Sequence, residues 1–254
     1  RRCWRVFTSD LRDGVYFHNA VSASLPRAVH EGEITVSYQP QLDLETGRIV
    51  GVEALSRWVH PVLGEISPQV FISKAEQLGL IKQLDLHVLS TACRDIQNLN
   101  RSGADLHLSV NVSPLEAGRQ NYSAELLEHV TKLRFARNRL ILELTENAVM
   151  ENSESVSANF RALADAGIKV AIDDFGSGYS NLSYLTRFPF AYLKVDRSLT
   201  AKVGNDKKAN AVMAGIRQIS SHLNLKLVLE GIETDAQLEF ARHSSADHVQ
   251  GYRV

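Results

Sequence analysis

Short apolar runs, each about the length of one strand, recur along this chain at Ile34–Leu42, Ile49–Leu55, Leu106–Val112, Leu140–Leu144, Lys169–Ile172, Tyr192–Val195, Leu225–Leu229 and His248–Tyr252. Helical patterns separate the later ones, at Phe71–Gly79, Asp85–Leu99, Ala124–Leu133, Asn152–Ala166, Asn210–Leu223 and Thr234–Arg242. Strands that alternate with helices pair in parallel, because each crossover helix carries the chain back to the same end of the sheet. Eight strands suit a closed α/β barrel, and 254 residues is the length of one. The first two runs are joined only by Glu45-Thr46-Gly47, which leaves no room for a crossover helix. They are therefore expected to pair as an antiparallel hairpin, giving an irregular barrel with one strand running against the others. Ahead of the first run, Val21–Glu31 can open a helix with Ser22 or Ser24 as its cap.

Acids and amides stand at the ends of these runs. Val50-Gly51-Val52 leads into Glu53, and Leu106–Val110 leads into Asn111. Leu140-Ile141-Leu142 leads into Glu143, Val170-Ala171-Ile172 into Asp173-Asp174, and Leu227-Val228-Leu229 into Glu230. In an α/β barrel these ends meet on one face, where active sites are built. Carboxylates gathered there repel one another and are costly to desolvate unless neutralised. Oxygen-only ligands suit Mg²⁺ or Mn²⁺ better than zinc, and an adjacent Asp pair lets one carboxylate bridge two ions. Two such ions clamp an in-line displacement at phosphorus. One acid after a strand is more often a helix cap or a solvated loop residue. The joint pattern, with intervals of 32 residues from Asn111 to Glu143 and 30 from Glu143 to Asp173, matches one strand–helix unit each.

Lys194 lies among apolar neighbours in Tyr192-Leu193-Lys194-Val195, so it either snorkels to a strand end or stays charged beside the acids. Gln250 can reach the same face from the last run. Arg57 suits a phosphate or a surface ion pair equally well. The nine histidines form no metal-ligand spacing.

The formal net charge is −1, from 28 Lys and Arg against 29 Asp and Glu, which argues against duplex nucleic acid as a partner. Neither that balance nor any apolar run suggests membrane contact by this segment. Only Cys3 and Cys93 occur, so a reducing, cytoplasmic setting is expected, with Cys93 a small core residue.

The ordered blocks Tyr38-Gln39-Pro40, Glu53-Ala54-Leu55-Ser56-Arg57, Asn111-Val112-Ser113, Glu143-Leu144-Thr145-Glu146, Asp173-Asp174-Phe175-Gly176, Leu193-Lys194-Val195-Asp196, Glu230-Gly231-Ile232-Glu233 and Gln250-Gly251-Tyr252 together resemble the EAL domain family of bacterial cyclic di-GMP phosphodiesterases. The resemblance runs from about residue 20 to the end. It implies a modified TIM (β/α)8-like barrel with its first strand antiparallel. It implies two Mg²⁺ or Mn²⁺ ions held by Glu53, Asn111, Glu143, Asp173, Asp174 and Glu230, with Lys194 the catalytic lysine. Gln39, Leu55, Arg57, Asp196 and Gln250 match substrate-contacting positions, and Glu146 and Glu233 match acids that hold active-site loops. A water activated between the metals would open one phosphodiester of cyclic di-GMP to linear pGpG. The loop after Asp174 matches one that couples the site to a homodimer interface. Ser56, Ser177 and Leu229 depart from the family's commoner residues without removing a ligand. A chain that starts at Arg1 and stops after Gln250-Gly251-Tyr252 reads as an excerpt, with 1–20 a linker or remnant of a GGDEF domain and 21–254 a barrel trimmed at its end. The competing readings are a catalytically silent EAL module that binds cyclic di-GMP as a receptor, and an unrelated barrel acting on sugar phosphates. The second explains the acids but not the ordered blocks.

Overall fold

A computed structural model describes residues 9–151, 154–177, 182–204 and 206–254. Two compact units divide them: one comprises the residues up to Ser37 together with Ser56–Val88, the other Tyr38–Leu55 together with Leu89–Val254.

The first unit holds helix α1 (Ser9–Glu31), the hairpin partner β3 (Gly64–Ile66) and helix α2 (Pro68–Gln77). Its core gathers Val21, Leu25, Ala28, Ile34, Trp58, Ile66, Phe71 and Leu84. Residues 21, 25 and 28 fall on one helix face, which is why this stretch is helical. The helix begins at Ser9, well ahead of the expected Val21, and Ser22 and Ser24 are not its caps. Ser22 donates to the His18 carbonyl at 2.8 Å, and the Ser24 hydroxyl sits 3.0 Å from His60 Nε2. A continuous 3.6-residue apolar stripe gave these serines no helix end to cap.

The second unit is the barrel. Strand β1 (Ile34–Asp43) enters it and turns back as β2 (Ile49–His60). Then follow β4 (His107–Asn111), β5 (Leu140–Thr145), β6 (Lys169–Phe175), β7 (Tyr192–Val195), β8 (Lys226–Leu229) and β9 (His248–Gln250). The ring order is β1-β9-β8-β7-β6-β5-β4-β2, closed by pairing of β2 with β1. Neighbours from β2 round to β9 are parallel, and β1 pairs antiparallel with β9. The expected fold, with one strand reversed by a hairpin, is the observed one. The covering helices bury stripes at helical spacing: Tyr122, Leu126 and Val130 on α5 (Tyr122–Lys132), and Val156, Phe160 and Leu163 on α7 (Glu154–Asp165). Cys93 is a buried free thiol whose pKa burial pushes up to about 12, so it serves as a core residue. Among the described residues, no helix is long and apolar enough to cross a membrane.

Gly251 packs tightly against Ile232 at the end of β9. The Ile232 amide donates to the Gln250 carbonyl at 3.1 Å, and the Ile232 carbonyl accepts from Arg253 N at 3.0 Å. A Cβ on Gly251 would overlap the Ile232 backbone, which cannot swing aside as a side chain could. Gly251→Ala is therefore expected to lower the unfolding free energy by about 1–3 kcal/mol, as overpacking does. Chemical denaturation measures this, and an unchanged midpoint would contradict the packing at this corner.

Candidate active site

Side chains two residues apart on a strand share a face. Ile141, Ala171, Tyr192 and Val228 form one apolar cluster inside the barrel. Two residues further along the same strands stand Glu143, Asp173, Lys194 and Glu230. A charged layer thus rests directly on an apolar one, and both point inward for the same reason.

Lys194 is the centre of that layer, with 1 % of its side chain exposed. Its Nζ lies 2.6 Å from Glu143 Oε2, 2.8 Å from Glu230 Oε1, 3.2 Å from Glu53 Oε2 and 3.3 Å from Asp173 Oδ1. The lysine therefore does not snorkel away but stays charged. Burial alone would lower its pKa, but the four carboxylates around it raise the pKa well above the ordinary lysine value. Glu53 receives two more donors: Asn111 Nδ2 at 2.7 Å on Oε1 and Gln250 Nε2 at 2.6 Å on Oε2. Burial raises the Glu53 pKa, but Lys194 and these amides outweigh it, so Glu53 is held below the usual carboxylate range. Glu143 is pushed well above that range by burial first and by the Glu53 charge next. Burial, reinforced by Asp173 and opposed by Lys194, lifts Glu230 to about 8. Asp174 is raised to about 6 by burial and by the charges of Asp173 and Asp196.

The Asp173-Asp174 pair should place its side chains on opposite faces of a regular strand. Asp174 instead has φ +56°, and the β6–β7 register shifts between Ile172 and Phe175. This irregularity turns the second carboxylate toward the first. Glu53, Glu143 and Asp173 form one cluster, and Asp173, Asp174 and Glu230 another, each with oxygens within 4.8 Å of one another. Asp173 belongs to both. Glu143 Oε1 is buried with no hydrogen-bond partner. One ammonium for five acids, all-oxygen donors, an orphaned carboxylate oxygen and a shared aspartate fit hard divalent cations.

Comparison with known proteins agrees with this geometry. The profile of the EAL domain matches residues 22–254. The chain belongs to the EAL domain family. Its relatives include the Cyclic di-GMP phosphodiesterase NbdA of Pseudomonas aeruginosa, 38 % identical over 229 residues, which cover 90 % of this chain and 29 % of that protein. The Bifunctional diguanylate cyclase/cyclic di-GMP phosphodiesterase MucR of the same organism is 35 % identical over 229 residues, covering 90 % and 33 %. This chain therefore spans about a third of the length of such curated relatives. The solved "PaMucR Phosphodiesterase, c-di-GMP complex" superposes with a TM-score of 0.86 at 35 % identity, covering 92 % of this chain and 95 % of that one. An EAL domain protein from Listeria monocytogenes superposes at 0.79 with 29 % identity, covering 91 % of each.

The EAL domain brings the six expected ligand residues, Lys194 and Gln250 together, but treats the other expected residues differently. Gln39 accepts from Gln250 Nε2 at 3.0 Å and so reaches the site. Leu55 is half-buried on β2. Asp196 caps α8 (Arg197–Thr200) by accepting from Ser198 N at 2.9 Å, while its charge bears on Asp174. Arg57 belongs to the first unit, where its guanidinium donates to the Ser56 carbonyl at 2.9 Å. Glu233 is exposed, and its backbone N–H donates to Gln237 Oε1 at 2.8 Å. Glu146 opens the helix Glu146–Glu151 as a buried acid beside the Tyr184 hydroxyl. Burial first, and then that acid, raise the tyrosine's pKa. The tip of the loop after Asp174, on which the expected homodimer contact falls, lies at 178–181, outside the described residues. Gln41 was not singled out by its motif. Period-two spacing from Gln39 is the signal that puts it on the inner face.

Two results are expected. Lys194→Met leaves buried carboxylates without their cation and should cost the metal-free protein about 3–5 kcal/mol. Added Mg²⁺ should recover more stability in this variant than in the unaltered protein, as read by thermal unfolding, and equal recovery would contradict the shared acid layer. Metal ligands must be deprotonated. With Asp174 titrating near 6 and Glu230 near 8, Mn²⁺ affinity should rise from pH 6 to 8 with proton release. Calorimetry in buffers of different ionisation enthalpy reads that release, and its absence would contradict the raised acids.

Proposed function

We propose that residues 21–254 form a metal-dependent phosphodiesterase domain that hydrolyses cyclic di-GMP to linear pGpG. The observation that carries this reading is the pair of acid clusters sharing Asp173 around Lys194, in a chain related to proteins named as cyclic di-GMP phosphodiesterases. Glu53, Asn111, Glu143, Asp173, Asp174 and Glu230 are the residues that would hold two divalent cations, Mg²⁺ or Mn²⁺. When bound, such ions supply Lewis-acid activation of water and offset the charge of the phosphate. The five carboxylates carry about −5, which Lys194 and two divalent ions together would neutralise.

The protein's own groups account for the rest. Lys194, held by four carboxylates, would offer its Nζ proton donors to charge that develops on the reacting phosphodiester. Glu53 is kept ionised and fixed by Asn111 and Gln250. Gln39 extends the same amide network toward the nucleotide. Hydrolysis forms one bond from water oxygen to phosphorus and breaks one bond from phosphorus to a ribose 3′ oxygen. The water proton leaves and the 3′ oxygen is protonated, so atoms and charge balance. The apolar floor under the acids limits water from below, which strengthens each charge interaction in the site.

Incubation with cyclic di-GMP and Mg²⁺ or Mn²⁺, followed by chromatography, should show pGpG. EDTA should stop its formation and excess Mg²⁺ should restore it. Glu53→Ala should reduce turnover by at least about 100-fold while the circular dichroism stays unchanged. Binding of cyclic di-GMP without any pGpG would replace the hydrolase by a receptor, and full activity in EDTA would exclude the metal reading.

A further inference from the structure

Gln41 is a buried amide on β1, 5 % exposed, two residues beyond Gln39. Its Cα lies directly opposite that of Gln250 in the antiparallel β1–β9 pair, so the two side chains leave the same face of the sheet. Gln41 Nε2 donates to Gln250 Oε1 at 3.0 Å. Gln250 Nε2 donates in turn to Gln39 Oε1 at 3.0 Å and to Glu53 Oε2 at 2.6 Å. Both hydrogens of that amide group are thus used, and its carbonyl oxygen is occupied from the other side.

A side-chain amide has one donating end and one accepting end. With Gln41 donating to the accepting end, the donating end faces Glu53. A half-turn of the Gln250 amide would set its oxygen against the Glu53 carboxylate and its NH₂ against the NH₂ of Gln41, two repulsive contacts at once. Gly51 leaves the space that Gln41 uses: a Cβ there would stand 3.1 Å from Gln41 Oε1 and 3.3 Å from the His107 carbonyl. We infer that Gln41 is a positioning residue: it locks the Gln250 amide so that Gln250 donates to Glu53 and holds that carboxylate in place for metal and phosphate. Gln41 reaches Glu53 through Gln250. Partners one step behind a metal ligand, as Gln250 is, are worth about 10–100-fold in metal affinity or activity, and Gln41 stands one step further back.

The kinetic part of this inference rests on the phosphodiesterase reading, so its test has two independent parts. Gln41→Met keeps the length and removes the donor. It is combined with Gln250→Ala in a double-mutant cycle, and half-saturating Mn²⁺ and pGpG formation are both measured. Gln41→Met alone is expected to raise half-saturating Mn²⁺ and to lower turnover by about 10-fold, the low end for such partners. In the Gln250→Ala background the same change should cost less than about twofold, because its only route to Glu53 is already gone. The Gln250 side-chain amide ¹⁵N–¹H signal, identified by its loss in Gln250→Ala, should shift in Gln41→Met, and this needs no turnover. If Gln41→Met does not fold, Gln41→Glu, which has the same shape, is expected to move that signal likewise. Equal losses in both backgrounds, or an unmoved signal, would overturn the inference. A lack of pGpG from the unaltered protein would overturn the phosphodiesterase reading alone, with the Mn²⁺ titration and the amide signal still deciding on Gln41.

Discussion

An ammonium group sealed inside a protein costs several kcal/mol unless anions surround it, and each buried carboxylate carries a similar cost unless cations surround it. In this barrel the two costs are set against each other at one height. Lys194 Nζ sits within 3.3 Å of Glu53, Glu143, Asp173 and Glu230. Strand register and the amides that orient Glu53 hold this cluster. Burial first, and repulsion among the acids after it, raises Glu143, Asp173, Asp174 and Glu230, while Lys194 and the two amides outweigh burial and lower Glu53. Acids raised in this way release protons on binding divalent ions.

The same strands provide the core and the site, two residues apart. Ile141 and Glu143 on β5, and Ala171 and Asp173 on β6, are consecutive inward positions, and Glu230 follows Val228 in the same way just past the end of β8. A one-residue slip in any of them would send an acid outward and expose its apolar partner. Stability and chemistry are therefore specified by one register. The exception is Asp174, where the left-handed backbone and the shifted register bring an out-of-phase carboxylate into the site. Backbone strain of that kind persists where the surrounding structure over-determines it.

Much of this was readable from residues alone, because barrels translate period into position. The eight runs, the hairpin at Glu45-Thr46-Gly47 and the convergence of Glu53, Asn111, Glu143, Asp173 and Glu230 follow from alternation and strand ends. Other features depend on tertiary contacts that no spacing encodes. The fate of Lys194 depends on how many carboxylates reach it, which only the closed ring decides. Strand β2 continues to His60, past the expected Leu55, because β3 pairs with its far end, so Glu53 lies mid-strand. The last strand ends at Gln250, two residues early, since Gly251 turns onto Ile232. Glu146 is a buried acid beside the Tyr184 hydroxyl and Glu233 an exposed one, although both follow a strand-end glutamate by three residues. Gln41 is an ordinary polar residue by sequence, and its weight comes entirely from facing Gln250 across β1 and β9.

The central claim is that Asp173 is shared by two cation sites built from this acid layer. Anomalous diffraction from a crystal grown with Mn²⁺ tests it most directly. Two peaks are expected, one among Glu53, Glu143 and Asp173 and one among Asp173, Asp174 and Glu230. A map with no anomalous peak at Asp173, from crystals saturated with Mn²⁺ at a pH above 8, would contradict it.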